Sequence, residues 1–454
     1  MRSLSSSRIS RAIAGAGASA TLCLFLSATA AAQAPGDGRP GPKTAGTRSE
    51  QEKRQPIATA ARTVLADSTQ VTPPQTRVDA SGGGVTISWG NNSLTIGALM
   101  QFRWTLEHRE QADADTAGEG VGVEDDPLSQ FDVPRMRVKL SGSAYRPWMR
   151  YSFQFDFSRT SGEGASKIKD AIFEIRPADR SYRVALGQFK APFGLQQLTS
   201  FSRQQFVDRA ITDGKYTPGR DMGVMFAATA AARRIGFEAG IFNGSGESIR
   251  QTTALPLVAS RFFINPLGPY ELAEGATDAG AGPVMHLGIG TRTGRQIRGR
   301  TATGVFTDAD RQTALNGEFA FKALRFYSTA EYFWQTEEQQ NPVAGPDIES
   351  RGYHAQVGFM AVPRVVEAGI RYAEVNGDTG VPDSNLREIR GVVGYFWRAH
   401  NLKVQADVGQ LRYEAGFAGL TSRTRAGLPG LGTRLVTGQA LADWQVRVQV
   451  QVVF

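Results

Sequence analysis

From Leu94 onward, apolar and polar residues alternate one by one, the period of a β-strand with one greasy face and one wet face. Tyr151, Phe153, Phe155 and Phe157 alternate with Arg150, Ser152, Gln154, Asp156 and Ser158. At the C-terminus Trp444, Val446, Val448, Val450, Val452 and Phe454 alternate with Asp443, Gln445, Arg447, Gln449 and Gln451. The pattern predicts sixteen strands, the first eight near 94–104, 134–144, 150–158, 168–176, 182–189, 220–228, 234–242 and 257–264. The other eight fall near 284–292, 313–321, 324–335, 353–361, 365–373, 388–398, 402–411 and 443–454. An even count of segments, each close to roughly 9–11 residues, suits a closed antiparallel barrel crossing a membrane.

The connections alternate as well. Links after even strands are mostly short, such as Tyr145 to Met149 or Lys322-Ala323. Those after odd strands are mostly long, such as Thr105 to Val133, Lys190 to Gly219 and Arg412 to Ala442. Short inner turns and long outer loops are the barrel pattern. One inner link, Asn265 to Pro283, is too long for a turn. Trp104, Trp334 and Trp444 fall at outer strand ends and Trp148 and Trp397 at inner ends, as interfacial aromatic belts require; Trp89 precedes the first strand. The fold class read from this is all-β, a 16-stranded antiparallel transmembrane β-barrel with an inward-folded constriction loop. The competing reading, a soluble β-sandwich or propeller, leaves strand length, loop asymmetry and the terminal aromatic unexplained together.

The first 32 residues read as a secretory signal peptide: Arg2, Arg8 and Arg11, an apolar stretch through Leu22, Leu24, Phe25 and Leu26, then Ala30-Ala31-Ala32. The chain therefore divides into a signal peptide at 1–32, a proline-rich flexible linker at 33–84 and a barrel at 85–454. The one cysteine, Cys23, belongs to the signal, so neither a disulfide scaffold nor a cysteine-based metal site is expected. Removal of the three signal arginines takes the formal charge from +8 to +5. Export to the bacterial outer membrane, with lipid around the wall, follows from the signal and the barrel together.

In a barrel of sixteen strands, function lies in the inward side chains and in any loop folded into the pore. Arg135, Arg137 and Lys139 share one face of the second strand, a ladder of cations roughly 13 Å long at ~3.3 Å per residue. Arg103, Arg371, Lys403 and Arg447 face inward in the same register, opposed by acids that include Asp156, Glu331, Glu367 and Asp407. The long link after the fifth strand, Lys190 to Gly219, is the natural candidate for a constriction loop; a surface loop is the alternative. It carries Lys190, Arg203, Arg209 and Lys215 against Asp208 and Asp213, with Arg220 just beyond. Planar guanidinium forks suit carboxylate and phosphate oxygens. Gly288-x-Gly290-x-x-x-Gly294 misses dinucleotide spacing, no P-loop or serine elbow occurs, and His354 faces the lumen with no identifiable partner. No catalytic residue, cofactor, metal or nucleic acid is expected.

The stretch Leu186-Gly187-Gln188-Phe189-Lys190-Ala191-Pro192-Phe193-Gly194-Leu195 resembles the phosphate-selective porin O and P family. So do Lys169-Asp170-Ala171, Pro218-Gly219-Arg220-Asp221-Met222-Gly223 and Gly240-Ile241-Phe242-Asn243-Gly244. The resemblance implies a homotrimeric porin whose arginines and lysines guide phosphate or polyphosphate through a constriction. It gives Arg135, Arg137 and the loop after Lys190 a pore role. Only nine of the 51 basic residues are lysine, whereas strongly phosphate-preferring members also draw anions in through lysine clusters. The expected function is passive uptake of phosphate-like small anions. A general-diffusion porin, or a channel for another small solute, is the alternative.

Overall fold

The computed structural model describes residues 76–82, 84–110, 127–158, 167–249, 255–277, 282–295, 299–300, 306–308, 310–339, 345–431, 434 and 438–454. The expected signal peptide, and the linker up to residue 75, lie outside the described residues.

Sixteen strands build the wall. They are β1 Asn92–Arg109, β2 Leu128–Ala144, β3 Arg146–Asp156, β4 Lys167–Ile175, β5 Tyr182–Lys190, β6 Arg220–Ala230, β7 Ile235–Phe242 and β8 Leu257–Ile264. After these come β9 Val284–Arg295, β10 Arg311–Ala323, β11 Phe326–Glu338, β12 Ile348–Val362, β13 Val366–Asn376, β14 Asn385–Arg398, β15 Leu402–Tyr413 and β16 Leu441–Val453. Each pairs antiparallel with its neighbours in sequence, and β16 pairs with β1 from Asp443↔Arg109 to Val453↔Leu99, which closes the cylinder. Closure leaves no strand edge to hydrogen-bond with lipid. Beyond Val453 the backbone of Phe454 exchanges hydrogen bonds with Ala98, at 2.6 and 3.0 Å.

The wall is inside out relative to a soluble protein. On β13, Ile370 is 52% exposed while its neighbour Arg371 is 0% exposed; on β12, Val357 is 52% exposed and Gln356 1%. Apolar residues face outward to hydrocarbon and polar residues face the lumen, an arrangement stable only in a membrane. Trp148, Trp397 and Trp444 are all exposed on that outer surface.

Three features depart from the expectation. Arg77–Asp79, within the presumed linker, is a short strand paired with Val85–Trp89, and that second strand continues along β1 from Val85↔Ile96 to Trp89↔Asn92. Trp89 belongs to this hairpin. Several strands run past the alternating stretch: β2 begins at Leu128, where Leu128 to Asp132 pair with Glu107 to Arg103. Backbone hydrogen bonding continues beyond the lipid zone, where side-chain alternation no longer has a solvent to match. The first inner turn is also tighter than the expected Tyr145 to Met149, Tyr145 alone joining β2 to β3 at φ 63°.

The lumen is not a uniform water column. Phe193, Tyr216, Phe333, Tyr413, Phe417 and Leu420 form a buried apolar cluster inside it, built from two inward loops and the wall of β11 and β15. Gly187, in the resemblance block, has φ +118°, and a Cβ there would lie 2.0 Å from the carbonyl oxygen of Ala171, so only glycine fits.

Candidate functional site

Residues 191–219 leave the wall after β5 and return before β6, their neck closed by the Ala191 amide donating to the Gly219 carbonyl at 3.1 Å. Between them are two short helices, Leu195–Leu198 and Ile211–Tyr216, and a 3-10 turn at Phe201–Arg203. Inward wall charges hold this loop by its backbone. Glu331 accepts from the amides of Leu195 and Gln196, both at 2.7 Å, and Glu388 from that of Ile211 at 3.1 Å. Lys403 donates to the Gln204 carbonyl at 2.7 Å, Arg371 to that of Asp208 at 2.9 Å, and Arg292 to that of Tyr216 at 3.0 Å. These buried amides and carbonyls of the loop meet partners that were themselves costly to bury. His354 finds its partner here too, with Thr212 Oγ1 at 2.8 Å from its Nδ1. Inward charges such as Glu331, Arg371 and Lys403 thus anchor the loop rather than face water.

The central contact lies at Phe201. The Arg135 guanidinium sits 3.5 Å from its ring centroid and that of Arg209 3.9 Å, with Arg137 at 5.6 Å. Such cation–π contacts strengthen as water is excluded. Beside them Asp208 binds Arg135 at 2.6 Å, Arg103 at 2.8 Å and Arg447 at 3.6 Å. Burial alone would raise the Asp208 pKa. The guanidiniums of Arg103, Arg135 and Arg447 outweigh that and hold it well below the usual carboxylate range, so it stays ionised.

Two cavities meet at this contact, and Phe201 lines both. The inner one, toward the short turns, has a volume of ≈ 530 Å³. Its wall carries Arg137, Lys139, Lys190 and Arg220, and Arg176, Arg180 and Arg183 sit toward its periplasmic mouth. Asp170, Glu174 and Glu238 share the lining with these seven cations, and Asp156 pairs with Arg137 from beside it. The outer one, ≈ 540 Å³, is balanced: Arg209, Arg390 and Arg447 against Asp208, Asp213 and Glu388.

The predicted site residues divide accordingly. Arg103, Arg135, Arg137 and Arg209 converge on Asp208 and Phe201. Arg137 is also neutralised by Asp156 at 2.7 Å, and Arg220 by Asp170 at 2.8 Å. Lys139 is exposed and has no ion-pair partner among the described residues, so the three-cation ladder is chemically graded rather than uniform. Lys190 lines the inner cavity while donating to the carbonyls of Leu198 and Thr199, each at 3.2 Å. Two residues lie apart. Lys215 is buried against the Thr424 carbonyl at 2.6 Å, and Arg203 is turned toward Glu271 at 3.9 Å. A helix turn at 211–216 points Lys215 up into the outer loop, which composition alone does not foretell. The sequence reading missed Phe201, a lone aromatic in a polar loop with no periodicity to mark it. It also missed Arg176 and Arg180, which lie outside the strands.

The phosphate-selective porin O and P family matches residues 105–416. This chain belongs to that family. It is therefore an outer-membrane porin of a bacterium, with the barrel as its channel body. No curated relative matches the chain by sequence. Among solved structures it is similar to an anion-selective porin from Comamonas acidovorans, at 11% identity and TM-score 0.51, over 79% of this chain and 99% of that one. It is also similar to OmpT of Vibrio cholerae, at 12% identity and TM-score 0.46, over 81% and 99%. The channel DcaP of Acinetobacter baumannii aligns at 11% identity and TM-score 0.48, over 80% and 97%. At these identities the first likeness speaks for the fold alone.

Proposed function

We propose that this porin is a passive, anion-preferring channel for phosphate or similar small anions, and that it catalyses no reaction. The observation that carries the reading is the inner cavity beside the Arg135–Phe201–Arg209 contact, where seven cations meet four carboxylates once Asp156, the partner of Arg137, is included. A narrow, low-dielectric passage focuses such an excess on the permeating ion. Arg135, Arg137, Arg209, Lys139, Lys190 and Arg220 are the residues an anion meets, with Arg103 setting the charge on Asp208. Lys215 and Arg203 act on loop packing instead. Assembly as a homotrimer in outer-membrane lipid is part of the proposal, and its support is the family.

Reversal potentials in asymmetric potassium chloride test the reading, and clear cation preference refutes it. Phosphate titrated against chloride in single-channel recordings separates a phosphate-preferring pore from a general-diffusion one. Replacing Arg135 and Arg137 by alanine should weaken the phosphate block of chloride current; an unchanged block removes both from the site.

A further inference from the structure

Most connections at the inner end of the barrel are brief turns, such as Leu324 and Arg325 between β10 and β11. The connection from β8 to β9 spans 265–283, and the larger of its described parts, residues 265–277, turns into the lumen. At its start, Asn265 Oδ1 lies 2.8 Å from His286 Nδ1, and the Tyr270 ring packs on His286 at 5.2 Å. At its far end Glu274 is 2% exposed. The Glu274 carboxylate accepts from the Gln205 amide at 2.8 Å and from the side-chain amides of Gln196 and Gln356, both at 3.0 Å. The Glu274 amide donates to the Arg203 carbonyl at 2.8 Å, and His400 Nε2 lies 2.9 Å from the Glu274 carbonyl. Gly275 has φ +76°, and a Cβ on it would sit 2.7 Å from a Glu367 oxygen, so the backbone is pressed against β13. Ala276 is buried with Tyr327, Met360 and Phe396.

These contacts tie the segment to the constriction loop, through Gln196, Arg203 and Gln205, and to the wall from β9 to β14. Leu272, between the two anchors, lines the inner cavity. We propose that Asn265–Thr277 is a second constriction element: a strut that occupies the β9–β14 side of the lumen, confines solutes to the cationic β2–β7 side, and positions the constriction loop through Glu274. Glu274 is a positioning residue, acting on the pore through Gln196 and Gln205. A surface loop would leave its polar groups to water, whereas here a buried carboxylate is matched by three donors from two other elements. The proposal rests on the channel reading and deepens it.

The test uses the full processed chain in planar bilayers. Because the sequence holds one cysteine, in the expected signal peptide, Leu272→Cys supplies a single thiol. A charged methanethiosulfonate reagent forms a disulfide there and releases methanesulfinate. Modification should lower chloride current about twofold, with the anionic reagent reacting faster than the cationic one, because Leu272 borders the cationic path. Complete labelling by mass with unchanged current overturns the strut, as does a thiol that does not react while the channel conducts. In a second variant, Glu274→Ala should lower the chloride-to-potassium permeability ratio about twofold and add brief closures, since three donors lose their acceptor. Glu274→Gln, which keeps one acceptor oxygen, should fall between. An assembled Glu274→Ala barrel with wild-type ratio and noise refutes the positioning role, and the Leu272 experiment decides alone if that variant does not assemble. A wild-type chain that passes no current overturns the channel reading and the strut with it.

Discussion

Asp208→Asn isolates the electrostatics of the constriction. Asp208 is the carboxylate shared by Arg103, Arg135 and Arg447, and it lies beside Phe201 where the two cavities meet. The substitution removes one negative charge and almost no volume. Its three cations remain held: Arg103 by the Val207 carbonyl and Gln449, Arg135 by Gln101, and Arg447 by Asp407 at 2.7 Å. The site therefore gains a net positive charge without freeing an arginine. An anion ~6 Å from the carboxylate is repelled by ~0.7 kcal/mol at the dielectric of water, and by ~2.8 kcal/mol at an effective dielectric of ~20. Even the smaller value changes a rate about threefold. Asp208→Asn should thus raise the chloride-to-potassium permeability ratio at least about threefold, read from reversal potentials at ~0.1 M salt, where the Debye length is ~10 Å. The gain should shrink as salt is raised. A ratio that stays level or falls in an assembled barrel would refute the placement of Asp208 on the permeation path.

Phe201→Ala should raise single-channel conductance about twofold, because the ring bounds both cavities and steric width governs a narrow pore; unchanged conductance puts the narrowest point elsewhere. Glu331→Ala removes the acceptor for two buried loop amides, at about 1–3 kcal/mol each, so the loop should loosen and current noise rise while the barrel keeps its heat-modifiable mobility. The Asp208 pKa is depressed, so its charge, and the stability it contributes, is present above the ordinary carboxylate range and lost only as pH falls below it. Ion preference should therefore not shift through Asp208 between about pH 8 and pH 5, and an Asp208-dependent shift in that window contradicts its charge pairing. Truncation of Phe454, whose backbone closes on Ala98, should reduce the fraction of assembled barrel on unheated gels.

Much of the wall was legible in the chain because its rule is local. A residue on a strand faces lipid or water according to parity, so Ile370 and Arg371 could be assigned before any fold was known. Strand β8, Leu257–Ile264, coincides with the segment the pattern predicts at 257–264. The strand ends were less legible: β2 extends to Leu128 through backbone pairing that carries no side-chain signature. Lys215 and Arg203 show the same limit at the site. Both are cations in the right loop, yet a helical turn and a neighbouring segment direct them away from the cavities. Charge on a loop states an inventory, and the path of the backbone decides its address.

The sequence by itself determined that lipid would surround a closed sheet of sixteen strands and that its interior would be charged. Parity, length and loop asymmetry are enough for that, since each follows from the two solvents on either side of one strand. Only the tertiary structure decided which inward charges face the passage and which are consumed in holding the loops. Glu331, Arg371, Lys403 and Glu274 bind backbone or amide groups from elements far away in the chain, while Lys139 stays open to the cavity and Arg183 lines it while paired with Glu174 and Glu238. Those pairings depend on distances of a few ångströms between residues tens to hundreds of positions apart, which no local period encodes.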